Sequence, residues 1–154
     1  MNIVLIAPEI PQNTGNIGRL CVATESQLHL IEPLGFSLAE SRLRRAGLDY
    51  WPHLSLTVHA DWDGFLRKSQ PRRMIFLSTH GRNSFYDWSF ESEDFLVFGN
   101  EGHGLPGIFY ERYRDLLYRL PMPGRHSRSL NLANTVGIVL YEGLRQTEGW
   151  GKPS

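Results

Sequence analysis

Short apolar runs recur along this chain, and each is stopped by proline, glycine or polar residues before a longer, helix-like pattern begins. Ile3 to Ala7 ends at Pro8, Leu28 to Ile31 ends at Glu32-Pro33, and Met74 to Leu77 gives way to Ser78-Thr79. Phe95 to Phe98 runs into Gly99, and Leu116 to Leu120 stops at Pro121. Leu54 to Val58 is a weaker run of the same kind. Near-continuous apolar runs of this length fit strands buried on both faces. Between them, helices are predicted at Gly15 to Ser26, Leu38 to Ala46, Asp61 to Lys68, Pro106 to Tyr113 and Leu130 to Gln146. Residues 8–14 and 80–94 read as loops or short elements. Strands alternating with helices imply an α/β fold: a mostly parallel sheet flanked by helices on both faces.

Length and charge narrow the reading further. The chain has 154 residues, which suits one domain over 1–154. Its 41% hydrophobic and 21% charged content excludes disordered, collagen-like and coiled-coil chains. The formal net charge is zero, so a generic polycation is excluded, although a local basic surface is not. Residues 103–130 hold five Arg against Glu111 and Asp115, and Arg42, Arg44 and Arg45 form a second cluster. The lone cysteine, Cys21, sits on the apolar side of a predicted helix and reads as core. It leaves no cysteine-based metal site and no intrachain disulfide. His103 and His126 lack carboxylates at ligand spacing, so no metal is expected. The start lacks a basic leader and no run reaches the ~18 apolar residues of a membrane span, so a cytoplasmic protein is expected.

Three polar, glycine-bearing loops follow predicted strands, and ligands of open α/β sheets bind at such ends. The first is Asn13-Thr14-Gly15-Asn16-Ile17-Gly18-Arg19, at the start of a helix whose free N–H groups would suit a phosphate. A capped helix with small residues for close packing accounts for it equally well. The second is Gly99-Asn100-Glu101-Gly102-His103-Gly104-Leu105-Pro106, where three glycines let the backbone approach a ligand. The third, Pro121 to Asn131, carries Arg125, Arg128 and Asn131, with Ser127 or Ser129 as a helix cap. No Walker-type loop is present, and the first loop lacks dinucleotide-fold glycine spacing, although Glu32 stands where a ribose-binding acid would. The aromatic run Phe85 to Phe90 reads as a loop tucked under its own side chains rather than a base-stacking platform.

In order and spacing, the three loops resemble the three motifs of the SPOUT class of RNA methyltransferases. Motif three is carried by Leu120-Pro121-Met122-Pro123-Gly124 and Ser129-Leu130-Asn131-Leu132-Ala133. Pro8 to Asn16, Leu30 to Phe36, Arg42 to Tyr50 and Ser127-Arg128-Ser129 further resemble the tRNA (cytidine(34)-2'-O)-methyltransferase group. Motif two departs from that group: Asn100-Glu101-Gly102-His103 is closer to the general ribose methyltransferase pattern. The resemblance implies a C-terminal deep trefoil knot, a homodimer, and S-adenosylmethionine held at the knot by Leu77, Gly99, Gly102, Gly104, Leu120, Met122 and Ser129. It implies 2'-O-methylation of a tRNA ribose in the anticodon stem-loop, at wobble nucleotide 34, with another tRNA or rRNA nucleotide as the alternative. Arg19, Asn16, Glu101, Ser129 and Asn131 are then candidate catalytic residues. Arg19, Arg125, Arg128, Tyr141, Arg42, Arg44 and Arg45 are candidate RNA contacts. More distant alternatives are a non-catalytic RNA-binding module of the same fold and a Rossmann-type dinucleotide enzyme.

Overall fold

A computed structural model describes residues 1–39 and 49–150. The helix expected from Leu38 to Ala46, with Arg42, Arg44 and Arg45, falls mainly outside these residues. The strands are β1 (Asn2–Ile6), β2 (Gln27–Ile31), β3 (Leu56–His59), β4 (Met74–Leu77), β5 (Asn83–Ser84), β6 (Phe95–Phe98) and β7 (Leu117–Arg119). The α-helices are α1 (Pro11–Ala23), α2 (Trp62–Ser69), α3 (Phe109–Arg112) and α4 (Leu132–Thr147). The strands form one sheet in the order β3-β2-β1-β6-β4-β7-β5, and each pair runs parallel. Among the described residues no helix is long and apolar enough to cross a membrane.

β1 is an interior strand between β2 and β6, and its side chains alternate between two cores. Ile3 and Leu5 pack with Ile17 of α1 and with Val136, Val139 and Leu140 of α4. Val4 and Ile6 pack on the opposite face with Phe65 of α2, Phe76 and Phe109. Ile3, Val4 and Leu5 have no exposed surface, as a strand covered on both faces requires. Cys21 is also fully buried, and burial pushes its thiol up to about 12, so it is core and unreactive. Phe85 and Phe90 are buried while Tyr86 stays exposed, so the aromatic run is tucked in as expected.

The helix boundaries carry the informative differences from sequence. α1 begins at Pro11, four residues before the expected Gly15, so Asn13 and Thr14 lie inside its first turn rather than in a loop. Proline in the first turn favours this start because its missing N–H is one the helix would leave unpaired. No side chain near Ile10 caps the helix. α4 is capped by Asn131, whose side-chain oxygen accepts from Ala133 N at 2.9 Å and Asn134 N at 3.2 Å, not by Ser127 or Ser129. Asp61 caps α2 as expected, accepting from Gly64 N at 2.7 Å. The helix expected from Pro106 to Tyr113 is only Phe109–Arg112, because Pro106 and Gly107 form a turn whose carbonyls receive Phe109 N and Tyr110 N.

β7 lies between β4 and β5, although β4 and β5 are joined by the short segment 78–82. That segment must therefore cross the end of a strand that comes later in the chain. Ser78 N donates to Tyr118 O at 2.9 Å, and Gly81 is packed so tightly on β7 that a Cβ there would overlap the Tyr118 carbonyl carbon. At the other end of the sheet, buried Asp94 accepts from Arg73 Nε at 2.6 Å, Trp88 Nε1 at 2.9 Å and Glu91 N at 3.0 Å. Arg73 thereby ties the start of β4 to the start of β6.

Two predictions follow from this packing. Gly81→Ala would place a methyl group against backbone that cannot move aside, and a loss of about 3 kcal/mol or more in urea unfolding is expected. His29 of β2 is buried against His59, Phe65 and Phe95, with its Nδ1 3.0 Å from His59 Nε2. Burial, then the neighbouring His59 and Lys68, pushes its pKa down to about 4 from 6.5. The neutral ring is thus favoured in the fold, so this stability is complete above pH 6.5 and is lost as pH falls from 6.5 toward 4. Urea unfolding from pH 7 to 5 should show the loss, approaching about 3 kcal/mol at full protonation, and His29→Phe should flatten it.

Candidate active site

The loops after β1, β4, β6 and β7 meet at the carboxyl edge of the sheet. Glu101, in the loop after β6, reaches across to α1, which follows β1. Its Oε2 accepts from Glu9 N at 2.8 Å, and its Oε1 accepts from Ile10 N at 3.2 Å and Asn13 Nδ2 at 3.3 Å. A carboxylate from a distant loop thus supplies the cap that α1 lacks locally. Asn13 passes the connection on: its Oδ1 accepts from Asn131 Nδ2 at 3.0 Å, and Asn131 caps α4. The three polar loops singled out in the sequence are therefore one hydrogen-bonded assembly.

This arrangement corrects the phosphate expectation for the first loop. The N–H groups ahead of α1 already face the chain's own carboxylate. β1 is flanked by β2 on one side and β6 on the other, so the crevice where a dinucleotide fold would seat a pyrophosphate is filled by Glu101. Glu32 is no better placed: it lines a separate hollow with Pro33, Phe36 and Ala60. The dinucleotide reading loses its structural support.

The principal cavity is displaced toward β4, β6 and β7 and has a volume of about 570 Å³. That lies within the range of small-molecule sites. Leu77, Gly99, Gly102, Gly104, Leu120, Met122 and Ser129 all line it. Gly99 is required by close approach, since a Cβ there would overlap the backbone of Gly104. Gly104 adopts φ 69°, which favours glycine. Leu77, Phe98, Leu120, Met122 and Leu132 give the cavity an apolar wall; Thr79, Asn100, Ser129, Asn131 and Thr135 give it a polar one. An apolar slot with a polar rim suits a planar base carrying a sugar and a charged tail.

The candidate catalytic and RNA-contacting residues are divided by the structure. Ser129, Asn131, Glu101 and Arg128 line the cavity. Asn16 and Arg19 are exposed on α1 and do not line it; the Arg19 guanidinium lies 4.7 Å from the Tyr50 ring centroid. Arg125 is exposed but not part of the lining. Tyr141 is 47% exposed and lines a different groove with Tyr86, Ile138 and Trp150. His103 lines the cavity, and His126 is exposed in the loop before α4. Among the described residues no group of three His, Cys, Asp or Glu could hold a metal ion.

Sequence reasoning passed over Ser78, Thr79, His80 and Tyr110, which also line the cavity. The first three form a polar run directly after strand Met74–Leu77, so the strand-end rule applied to that loop would have found them. Tyr110 lies in a helix beyond the motif, and nothing local marks it.

Glu101→Ala should release both the α1 cap and the link to Asn13. Removing a carboxylate that accepts three hydrogen bonds is expected to cost about 2 kcal/mol in urea unfolding, with Glu101→Gln losing less.

The sequence profile of the SpoU rRNA methylase family matches residues 1–141. A tRNA (cytidine(34)-2'-O)-methyltransferase of Burkholderia cenocepacia is 51% identical over 148 residues, covering 94% of each chain. A solved structure described as giving insight into the 2'-OH methylation of C/U34 on tRNA superposes with a TM-score of 0.90 at 44% identity, covering 96% of each chain. An AdoMet-bound rRNA methyltransferase from Sinorhizobium meliloti superposes with a TM-score of 0.82 at 26% identity, covering 94% of this chain and 55% of that longer one.

Proposed function

Because the chain belongs to the SpoU rRNA methylase family, we propose that it transfers a methyl group from S-adenosylmethionine to a tRNA ribose 2'-hydroxyl, at wobble nucleotide 34. The observation that carries this reading is the single cavity onto which motifs two and three converge while Glu101 holds motif one beside it. The proposed base is cytidine or uridine, by analogy with the C/U34 structure. The alternative, another tRNA or rRNA nucleotide, draws on Asn100-Glu101-Gly102-His103, the general ribose methyltransferase form of motif two. A tRNA substrate, engaged at its anticodon stem-loop, places the reaction in the cytoplasm.

The cavity fits the cofactor. Leu77, Leu120 and Met122 would hold the adenine, the bare backbone at Gly99, Gly102 and Gly104 leaves it room, and Ser129 offers a hydroxyl at the rim. When bound, S-adenosylmethionine supplies a methyl group already activated by the positive sulfonium. The protein's task is then to align the ribose hydroxyl with that methyl and to exclude competing water. Asn131 is held by its bond to Asn13 and its cap of α4, which fixes the wall against which the ribose would lie. Glu101 has both oxygens engaged by α1 and acts here as a positioning group rather than a proton acceptor. The role of Arg19 is to hold a phosphate next to the target ribose and polarise the hydroxyl, with the proton leaving through another group or water.

Arg19 and Asn16 lie off the cavity of their own protomer, which supports a homodimer whose partner copy completes the site. The exposed side chains Leu130, Ile138 and Tyr141, on or beside α4, supply apolar surface for that contact. The crossing of segment 78–82 over β7 supports the trefoil knot, with residues 120–131 emerging beneath the crossing and α4 returning against α1. Arg128 in the cavity lining and Arg125, exposed in the same loop, would contact RNA, with Tyr141 and the Arg42, Arg44 and Arg45 cluster as further contacts.

Tritiated methyl transfer to undermodified tRNA, followed by mapping of the modified nucleotide, tests the reading. Label at the 2'-oxygen of nucleotide 34 is expected; label at another nucleotide selects the alternative, and no incorporation sinks the enzyme assignment. S-adenosylhomocysteine should raise the melting temperature and NAD should not. Arg19→Ala should lower single-turnover methylation at saturating tRNA by about 100-fold or more, within the range for a positioned group in the transition state.

A further inference from the structure

Tyr110 belongs to none of the three motifs, yet it stands where two of the cavity's walls meet. Its hydroxyl lies 3.1 Å from Ser78 Oγ, and either group can donate. Ser78 organises the segment after β4: its Oγ accepts from His80 N at 3.1 Å, its N–H donates to Tyr118 O at 2.9 Å, and its carbonyl accepts from Gly81 N at 3.1 Å. The ring of His80 meets the Tyr110 ring edge-on, with centroids 5.8 Å apart.

On its other side the same hydroxyl abuts the loop after β6. A Cβ at Gly104 would lie 3.6 Å from the Tyr110 oxygen. Gly104 is itself locked to Asn100 by a pair of backbone hydrogen bonds, each 3.1 Å. The two loops arise from neighbouring strands and both line the 570 Å³ cavity. Tyr110 also lines a second cavity of about 420 Å³ together with Ala7 and Pro106.

We infer that Tyr110 is a positioning residue for the cofactor: its bond to Ser78 fixes the separation of the two loops and hence the width of the slot. The inference rests on the cofactor reading above. Tyr110 does not handle the reacting atoms; it removes a freedom that the loop after β4 would otherwise have to lose when a ligand binds. Preorganisation of this kind appears in binding affinity and leaves the aligned chemistry untouched once the site is full. Tyr110→Phe keeps the ring and its contact with His80, and removes only the hydroxyl.

The test is calorimetric titration of S-adenosylhomocysteine into the wild-type protein, Tyr110→Phe, Ser78→Ala and the double variant, with steady-state methylation of tRNA alongside. Tyr110→Phe should weaken binding about five- to tenfold, the size of one hydrogen bond. KM for S-adenosylmethionine should rise by the same factor, while kcat at saturating cofactor, KM for tRNA and the melting temperature stay near wild type. Ser78→Ala should weaken binding at least as much, and adding Tyr110→Phe to it should cost nothing further. Unchanged affinity in Tyr110→Phe, additive losses in the double variant, or a loss falling on kcat would each overturn the inference while the methyltransferase reading stands. Failure of the wild-type protein to bind would overturn both.

Discussion

The Glu101 carboxylate holds together pieces of chain that sequence distance keeps far apart. It ends one side of the motif two loop, caps a helix that begins ninety residues earlier, and fixes Asn13, which in turn holds Asn131. The two N–H groups that lead into α1, those of Glu9 and Ile10, are satisfied by a group from another strand's loop. The helix start, the shape of the motif two loop and the seat of α4 are therefore conditional on one another. Bonds to a charged acceptor are stronger than neutral ones, and a partly enclosed site screens them less than open solvent does.

That choice also moves the ligand site. In an open parallel sheet the natural crevice is the place where neighbouring strands send their chains in opposite directions, here between β1 and β6. Filling it with Glu101 leaves the adjoining ends of β4, β6 and β7 as the remaining open edge. The crossing of segment 78–82 over β7 then roofs that edge, and the bare backbone at Gly81 and Gly99 lets the layers close to contact. Ser78, Thr79 and His80 of the crossing segment line the cavity. One of its walls is apolar and the other polar.

The strands were legible because their physics is local. Ile3, Val4 and Leu5 need cover on both faces, and a short apolar run says so. The alternation of strands and helices gave the layers, and the strand-end rule located the loops after β1, β6 and β7. What escaped was set by distant partners. The start of α1 depends on Glu101, which no window around Pro11 contains. Asn131 outcompeted two nearby serines as the cap because its amide N–H also has Asn13 to bond. Tyr110 matters through a hydroxyl that meets Ser78 across thirty-two positions of sequence, and a tyrosine in a short amphipathic segment looks like any core-edge residue. The crossing over β7 has no sequence sign in periodicity at all; the motif resemblance alone suggested it.

The distribution of charge fits a site built in this way. The chain is neutral as a whole, yet five Arg and two acids fall within residues 103–130, and the loop from Pro123 to Leu130 is exposed throughout. Glu101, the one carboxylate in the cavity lining among the described residues, is engaged by Glu9 N, Ile10 N and the Asn13 side chain. Arg128 lines the cavity as well, and Arg125 is exposed in the same loop. Phosphate contacts position a nucleic acid without reading its sequence, and their strength falls with salt. For a protein of zero net charge, long-range attraction to RNA is weak, so the discrimination between nucleotides must come from fit at short range. The polar wall of the cavity, where Asn131 is held in place by its bond to Asn13, is fixed enough to supply such a fit.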